Sequence, residues 1–285
     1  MTAVPVPAVP AVPADLPGAR AALAELTPRT AALVAAIEEP ERRTAGLEWT
    51  LAETAAHLLV ALRGFTAALR GNLDEWAAYV PADTLYRDRL AGMTAGSLAA
   101  VPSRDPAVLS RQLGEAVDGF LEASAGRSPH EPVPAPWYAP GATLPLAAAT
   151  CLLLGEQVIH GRDLARSMGR PWPIAREHAL LMVQVIATMM PLVVDPEAAR
   201  RVRAVYALHV RGGTGFVLRI GDGRALTEPL GTQRVDCHLT ADPVSFVLVG
   251  YRRVSQWREI ARGGMLAWGR RPWLGPRMIG LFFTP

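Results

Sequence analysis

TLAETAAHLLVALRGFTAAL, residues 50–69, decides how the chain begins to fold. Its opening Thr50-Leu51-Ala52-Glu53 has the spacing of a capping box, with the Thr50 hydroxyl serving the third backbone N–H and Glu53 reaching back to the Thr50 N–H. The apolar residues that follow recur at helical spacing, so a helix is expected from Thr50 to about Leu69. His57 is the polar exception, set among Ala55, Ala56, Leu58 and Leu59.

The same period extends to either side. Leu23, Leu26, Thr30, Leu33, Val34 and Ile37 mark one helix, or a pair broken at Thr27-Pro28. Asp105-Pro106 pairs an N-cap with proline at the first helical position and predicts a helix over about 106–124. SPHEPVPAPWYAPGAT, residues 128–143, carries too many prolines for a regular element. Thr143 and Pro145 restart a helix that Gly169 ends near Met168, and a nearly all-apolar helix follows over about 175–190. Short loops and apolar faces make this part an antiparallel bundle with one long crossover.

Near residue 200 the period changes from 3.6 to 2. VRAVYALHV, GFVLRIG and RVDCHLT alternate or are β-branched, separated by GGTG, GDGR and LGTQ, and read as strands of a small, mostly antiparallel sheet. Asp242-Pro243 caps a short helix near 244–250, and a last helical stretch is expected near 273–283. The domains expected are a disordered Pro/Ala tail over 1–14, a helical bundle over 15–195 and an α+β domain over 200–285.

Composition narrows the function. Apolar residues are 50% and charged ones 19% of 285 residues, which excludes a wholly disordered or collagen-like chain. All 29 basic residues are arginine, and against 26 acids they leave a net charge of +3, too even and too scattered for a nucleic-acid groove. The prolines of the N-terminus interrupt any signal-peptide apolar run, and Leu144–Leu154 is about half a membrane span, so neither export nor a transmembrane helix is expected. Cys151 and Cys237 stand far apart without CxxC spacing, which fits a reduced cytoplasm.

Chemistry is concentrated in two helices. Glu156 and His160, spaced i, i+4, share one helix face, and His57 on the second helix can be presented to the same bundle interior. A His/Glu/His set is a three-ligand shell that leaves a catalytic zinc an open position, although a lone histidine or a surface Glu/His pair accounts for the same spacing. Asp163, three residues past His160, is either an outer partner that orients the histidine or a surface partner for Arg166. Trp49 reads as a staple packing the start of the helix. Arg252, Arg253, Arg270 and Arg271 could bind a carboxylate by guanidinium geometry, with a surface role as the default. Cys237 and His238 suggest no metal pair, since neighbours on a strand point to opposite faces.

LEWTLAETAAHLLVALRGF (47–65) and LLGEQVIHGRDLARSMGRPWPI (153–174) resemble the two signature stretches of the mycothiol-dependent maleylpyruvate isomerase family, a branch of the DinB-like four-helix metalloproteins. VDCHLTADPVSFVLVGYRR and GGMLAWGRRP resemble the sterol-carrier-protein-like domain that many members append. The resemblance implies a DinB-like antiparallel four-helix bundle followed by a sterol-carrier-like α+β domain, with His57, Glu156 and His160 as metal ligands. It further implies an enzyme that brings mycothiol, the low-molecular-weight thiol of actinobacteria, onto a divalent metal, most simply Zn²⁺. Isomerisation or S-transfer on a small, electrophilic, anionic substrate would follow, since no protein nucleophile stands in a recognisable motif. Arg162 departs from the family pattern, which commonly has tryptophan after His-Gly, and puts the pocket wall and the substrate in question. A hydrolase using metal-bound water and a non-catalytic small-molecule binding module are the alternatives.

Overall fold

The computed structural model describes residues 12–77, 79, 86–99 and 101–283, which separate into a helical unit, Asp15–Ile174, and a sheet unit formed by Ala175–Pro285 with the N-terminal segment before Asp15. The expected disordered tail over 1–14 falls outside the described residues for 1–11. Val12, within that expectation, is instead buried in the core of the sheet unit.

In the helical unit, α1 (Leu16–Ala35) is one continuous helix with Pro28 inside it. Pro28 removes one backbone donor, and the neighbouring Thr27 is tied down twice, donating to the Leu23 carbonyl at 2.6 Å and accepting from Gln157 Nε2 at 3.1 Å. Next comes α2 (Leu51–Arg70), whose capping box forms as the sequence predicts and whose end is closed by left-handed Gly71. A single turn, α3 (Asp74–Ala77), and α4 (Tyr86–Ala99) precede α5 (Pro106–Ala123), capped by Asp105. Then come β1 (Pro132–Pro134) and β2 (Thr143–Pro145), and α6 (Leu146–Ser167) follows directly.

Four of these helices, α1, α2, α5 and α6, make the unit: α1 and α2 each pack against both α5 and α6. Leu23, Leu59, Phe65, Leu109, Leu113 and Phe120 are fully buried between them. The hairpin β1–β2 corrects the expectation that the proline-rich segment holds no regular element and that strands are confined to the later part. Its central pair, Val133 opposite Leu144, is buried, and three-residue strands leave the prolines at the ends of the ladder, where a missing N–H costs little.

The sheet unit begins with α7 (Arg176–Val193) and a single turn, α8 (Pro196–Ala199). Its strands are β3 (Ala204–Val210), β4 (Phe216–Gly221), β5 (Arg224–Pro229), β6 (Cys237–Ala241) and β7 (Met265–Trp268), in the order β5-β4-β3-β6-β7. The β3–β6 pair at the centre is parallel and the others antiparallel, so the sheet is mixed. The helices α9 (Pro243–Gly250) and α10 (Gln256–Ala261) lie between β6 and β7 in the chain. The expected C-terminal helix is a 3₁₀ turn, a four-residue α11 (Gly275–Met278) and a second 3₁₀ turn.

The boundary at 174/175 corrects the one expected near 195–200. The reason is the partner of α7: Val183, Ala187 and Met190 are buried in one cluster with Tyr206, Leu208 and Phe216 of the sheet. Burying apolar side chains of this size is worth about 1.5–3 kcal/mol each, and periodicity alone does not say against which neighbour it is realised. Among the described residues no helix is long and apolar enough to cross a membrane.

Candidate metal centre

Two helices bring three donors together. His57 on α2 and Glu156 with His160 on α6 each offer one ligand atom, and these atoms all lie within 4.8 Å of one another. Glu156 Oε2 is the centre, 3.2 Å from His57 Nε2 and 3.2 Å from His160 Nε2. An ionised carboxylate only accepts, so each Nε2 must carry a proton that it donates to Glu156. Those protons occupy the positions where a divalent cation would draw the same three atoms together.

The electrostatics follow. Burial, the largest influence, raises the Glu156 carboxyl, but the hydrogen bonds from His160 and His57 with their positive charge outweigh it and hold the group well below the usual carboxylate range. Burial pulls His160 down, yet the carboxylates of Asp163 and Glu156 lift it to about 9. Asp163 is 1% exposed, with Oδ2 3.4 Å from His160 Nδ1. It therefore stands behind the histidine, as a partner that orients Nε2 toward the centre does, rather than on the surface. His57 Nδ1 is buried with no hydrogen-bond partner among the described residues.

Trp49, read from the sequence as a staple at the start of the helix, has a further contact that the sequence reading missed. It does precede the N-cap, but its ring lies against both histidines, with centroids 4.8 Å from His57 and 5.9 Å from His160. A braced loop delivers it. Thr44 N–H donates to the Trp49 carbonyl at 2.8 Å, the Thr44 and Thr54 hydroxyls are bonded at 2.8 Å, and Ala45 N–H donates to Ser167 Oγ on α6 at 2.8 Å. No periodicity signals such a contact, because it is made by a loop residue.

Gly161, beside His160, has a steric reason. A Cβ built there would stand 2.3 Å from the Trp172 ring, which docks on α6 with Nε1 donating to the Val158 carbonyl at 3.0 Å. The Arg29 guanidinium of α1 lies over that indole at 3.9 Å from its centroid.

The four arginines proposed for anion binding lie in the sheet unit and are engaged there. Arg252 donates to the Phe282 carbonyl at 3.1 Å and Arg253 to the Tyr251 carbonyl at 2.9 Å. Arg270 and Arg271 approach the carboxylate of Asp236 at 4.0 and 3.9 Å. Cys237 is buried in the core while His238 stands on the opposite face of the same strand.

Comparison with known proteins gives the family and the fold. A solved mycothiol-dependent maleylpyruvate isomerase is similar at 12% identity and a TM-score of 0.50, with 89% of this chain and 92% of that one covered. A mutant of such an isomerase matches at 13% identity and a TM-score of 0.49, over 89% of this chain and 92% of that one. At such identities the likeness is one of fold. No curated protein matches the chain in sequence. The model of the mycothiol maleylpyruvate isomerase N-terminal domain matches residues 23–165, half of the chain and the part that holds all three donors, and the chain belongs to that family.

Proposed function

We propose that the protein is a metal-dependent enzyme that uses mycothiol as its thiol co-substrate on a small, electrophilic, anionic substrate, in an isomerisation or an S-transfer. The observation that carries this reading is the convergence of His57, Glu156 and His160. In the same reading α1, α2, α5 and α6 form a DinB-like antiparallel bundle, the sheet unit is sterol-carrier-like, and the protein works in a reduced cytoplasm, consistent with free Cys151 and Cys237.

The donor set fits zinc: two imidazoles and one carboxylate, with a carboxylate behind one imidazole. A divalent ion held there would lower the pKa of a thiol from about 8.5, so that thiolate exists at neutral pH. This chain's own residues supply the rest. Glu156, ionised, provides negative charge between the two imidazoles and would be one of the three residues to hold the ion. Asp163 faces the Nδ1 side of the His160 ring at 3.4 Å, opposite the Nε2 that meets Glu156. Trp49 walls one side of both imidazoles with apolar surface, which limits the water that competes with a thiol. Members of a family differ in substrate, so the shared centre leaves the electrophile to be identified.

The test is metal content followed by thiol dependence. The purified protein should carry one divalent ion per chain, lost in His57→Ala with the helical circular dichroism unchanged. Turnover of an activated unsaturated acid should require mycothiol. Equal rates with and without the thiol would favour metal-activated water and a hydrolase, and the absence of both metal and turnover would leave only a binding module.

A further inference from the structure

The sheet unit carries a second pair of histidines, unrelated to the first. In the parallel register of β3 with β6, His209 lies opposite Thr240 and Ala207 opposite His238, so the two imidazoles are diagonal neighbours on the face of the sheet away from the core. Their ring nitrogens meet: His209 Nε2 is 3.1 Å from His238 Nδ1. The two imidazole planes are 16° apart with centroids 5.4 Å from each other, so the rings lie edge to edge, and Trp268 of β7 stacks on His238 at a centroid distance of 4.1 Å and 13°. Trp268 is itself fixed, its Nε1 donating to Thr240 Oγ1 at 3.1 Å. No carboxylate bonds to either imidazole among the described residues.

We propose that His209 and His238 form a second metal site, a cis pair of imidazole ligands for a divalent ion of tetragonal preference such as nickel or copper. Two nitrogens 3.1 Å apart, each bonded at about 2.0–2.1 Å, subtend about 95–100° at the metal. That is close to the cis angle of a square-planar or octahedral ion and short of the tetrahedral angle zinc prefers. One lone pair must point at the other nitrogen for the present N–H···N contact to exist, so an ion bonded to both at about 2.0–2.1 Å requires each ring to turn its lone pair by roughly 40° off the line between the nitrogens. Trp268, 46% exposed, leaves the remaining coordination positions open to water or a small chelating ligand.

The full-length chain, stripped with a chelator and titrated with NiCl₂ or CuCl₂, should bind one ion at this pair in addition to any held by the helices. His57→Ala should keep that ion, and His209→Gln and His238→Gln should each lose it. Uptake unchanged in His209→Gln overturns the proposal. Should the variants fail to fold, the copper electron paramagnetic resonance spectrum of His57→Ala decides alone: coupling to two nitrogens is expected, and one or none overturns the site. Copper should also quench tryptophan fluorescence in His57→Ala, and Trp268→Phe should remove most of that quenching. Failure of the first centre is distinguishable, because the wild type would then bind only the ion that His209→Gln abolishes.

Discussion

Two histidine pairs stand in this molecule, and their surroundings give them opposite behaviour. His57 and His160 share the Glu156 carboxylate, and His160 has Asp163 behind it, so that one imidazole is held as a cation up to about pH 9. Among the described residues His209 and His238 bond to each other and lie against a tryptophan, with no carboxylate bonded to either, and His209 is pushed toward the neutral form. Opposite charge favours protonation and a neighbouring imidazole disfavours it. The helical cluster is therefore an anion-balanced arrangement that holds protons, whereas His209 of the sheet pair is pushed the other way.

The largest break in this comparison should come from removing the shared carboxylate. Glu156→Gln takes away the charge that compensates two imidazoles and one of three ligands, so stoichiometric metal at the helical centre should disappear in metal analysis. The sheet pair, in the other unit, should be untouched. Asp163→Asn is subtler. An outer partner of a ligating histidine is worth about 10–100-fold in metal affinity, and a competition titration should find a loss of that order with the ligands intact. A variant with wild-type affinity would return Asp163 to a purely structural role.

Gly161→Ala sharpens the local side of the argument. In an exposed helix this substitution stabilises by about 1 kcal/mol. Here the added methyl meets the Trp172 ring at 2.3 Å, and overpacking of that kind costs roughly 1–3 kcal/mol, so denaturant unfolding should show a net loss. A gain in stability would mean that Trp172 swings away without cost and does not brace the helix that carries Glu156 and His160.

The capping box made α2 legible, and the i, i+4 spacing made the Glu156/His160 face legible, because both are local rules that the chain satisfies within one or two turns. What the sequence hid depends on distant partners. The nearly all-apolar α7 looks the same whether it packs on helices or on a sheet, and only the buried contacts of Val183 and Met190 with strand residues decide it. The central β3–β6 pair is parallel, with β4 and β5 on the far side of β3, an arrangement that alternation alone does not encode. The strands β5 and β7 and the helices α4 and α10 carried too weak a period to be seen. Trp49 was legible as a helix neighbour and illegible as a wall of the metal centre, since its loop is aimed by hydrogen bonds from Thr44 and Ala45.

The comparison also predicts how stability depends on pH in metal-free protein. Glu156 is held below its ordinary value of 4.5, so its contribution is present above about pH 4.5 and is lost on acidification. His160 is raised from 6.5 to about 9, so its contribution is full below 6.5 and is lost as pH climbs to 9. The melting temperature of the stripped protein should therefore decline between pH 6.5 and 9, while the increase produced by added zinc should grow over the same window as protons cease to compete. A metal-induced shift that shrinks as pH rises would contradict the donor assignment.

The smallest effect concerns the sheet pair and has the opposite sign. His209 is depressed from 6.5, so folding opposes its protonation, and the folded state loses stability to it as pH falls below 6.5. His160 has no share in that loss, because its cation is bound more tightly in the folded chain throughout that range. Replacing His209 by glutamine removes the titration, so the acid limb of the stability profile between pH 6.5 and 5 should become flatter in His209→Gln than in the wild type. The alkaline limb, set by His160, should be superimposable. His209 is partly exposed and water screens its neighbour, so the change should amount to a slight tilt, best read as a difference in denaturant midpoint between the two proteins at pH 5 and at pH 7. An unchanged acid limb would mean that the imidazoles separate and solvate on protonation, and the stack with Trp268 would then be too loose to hold two ligands in a cis geometry.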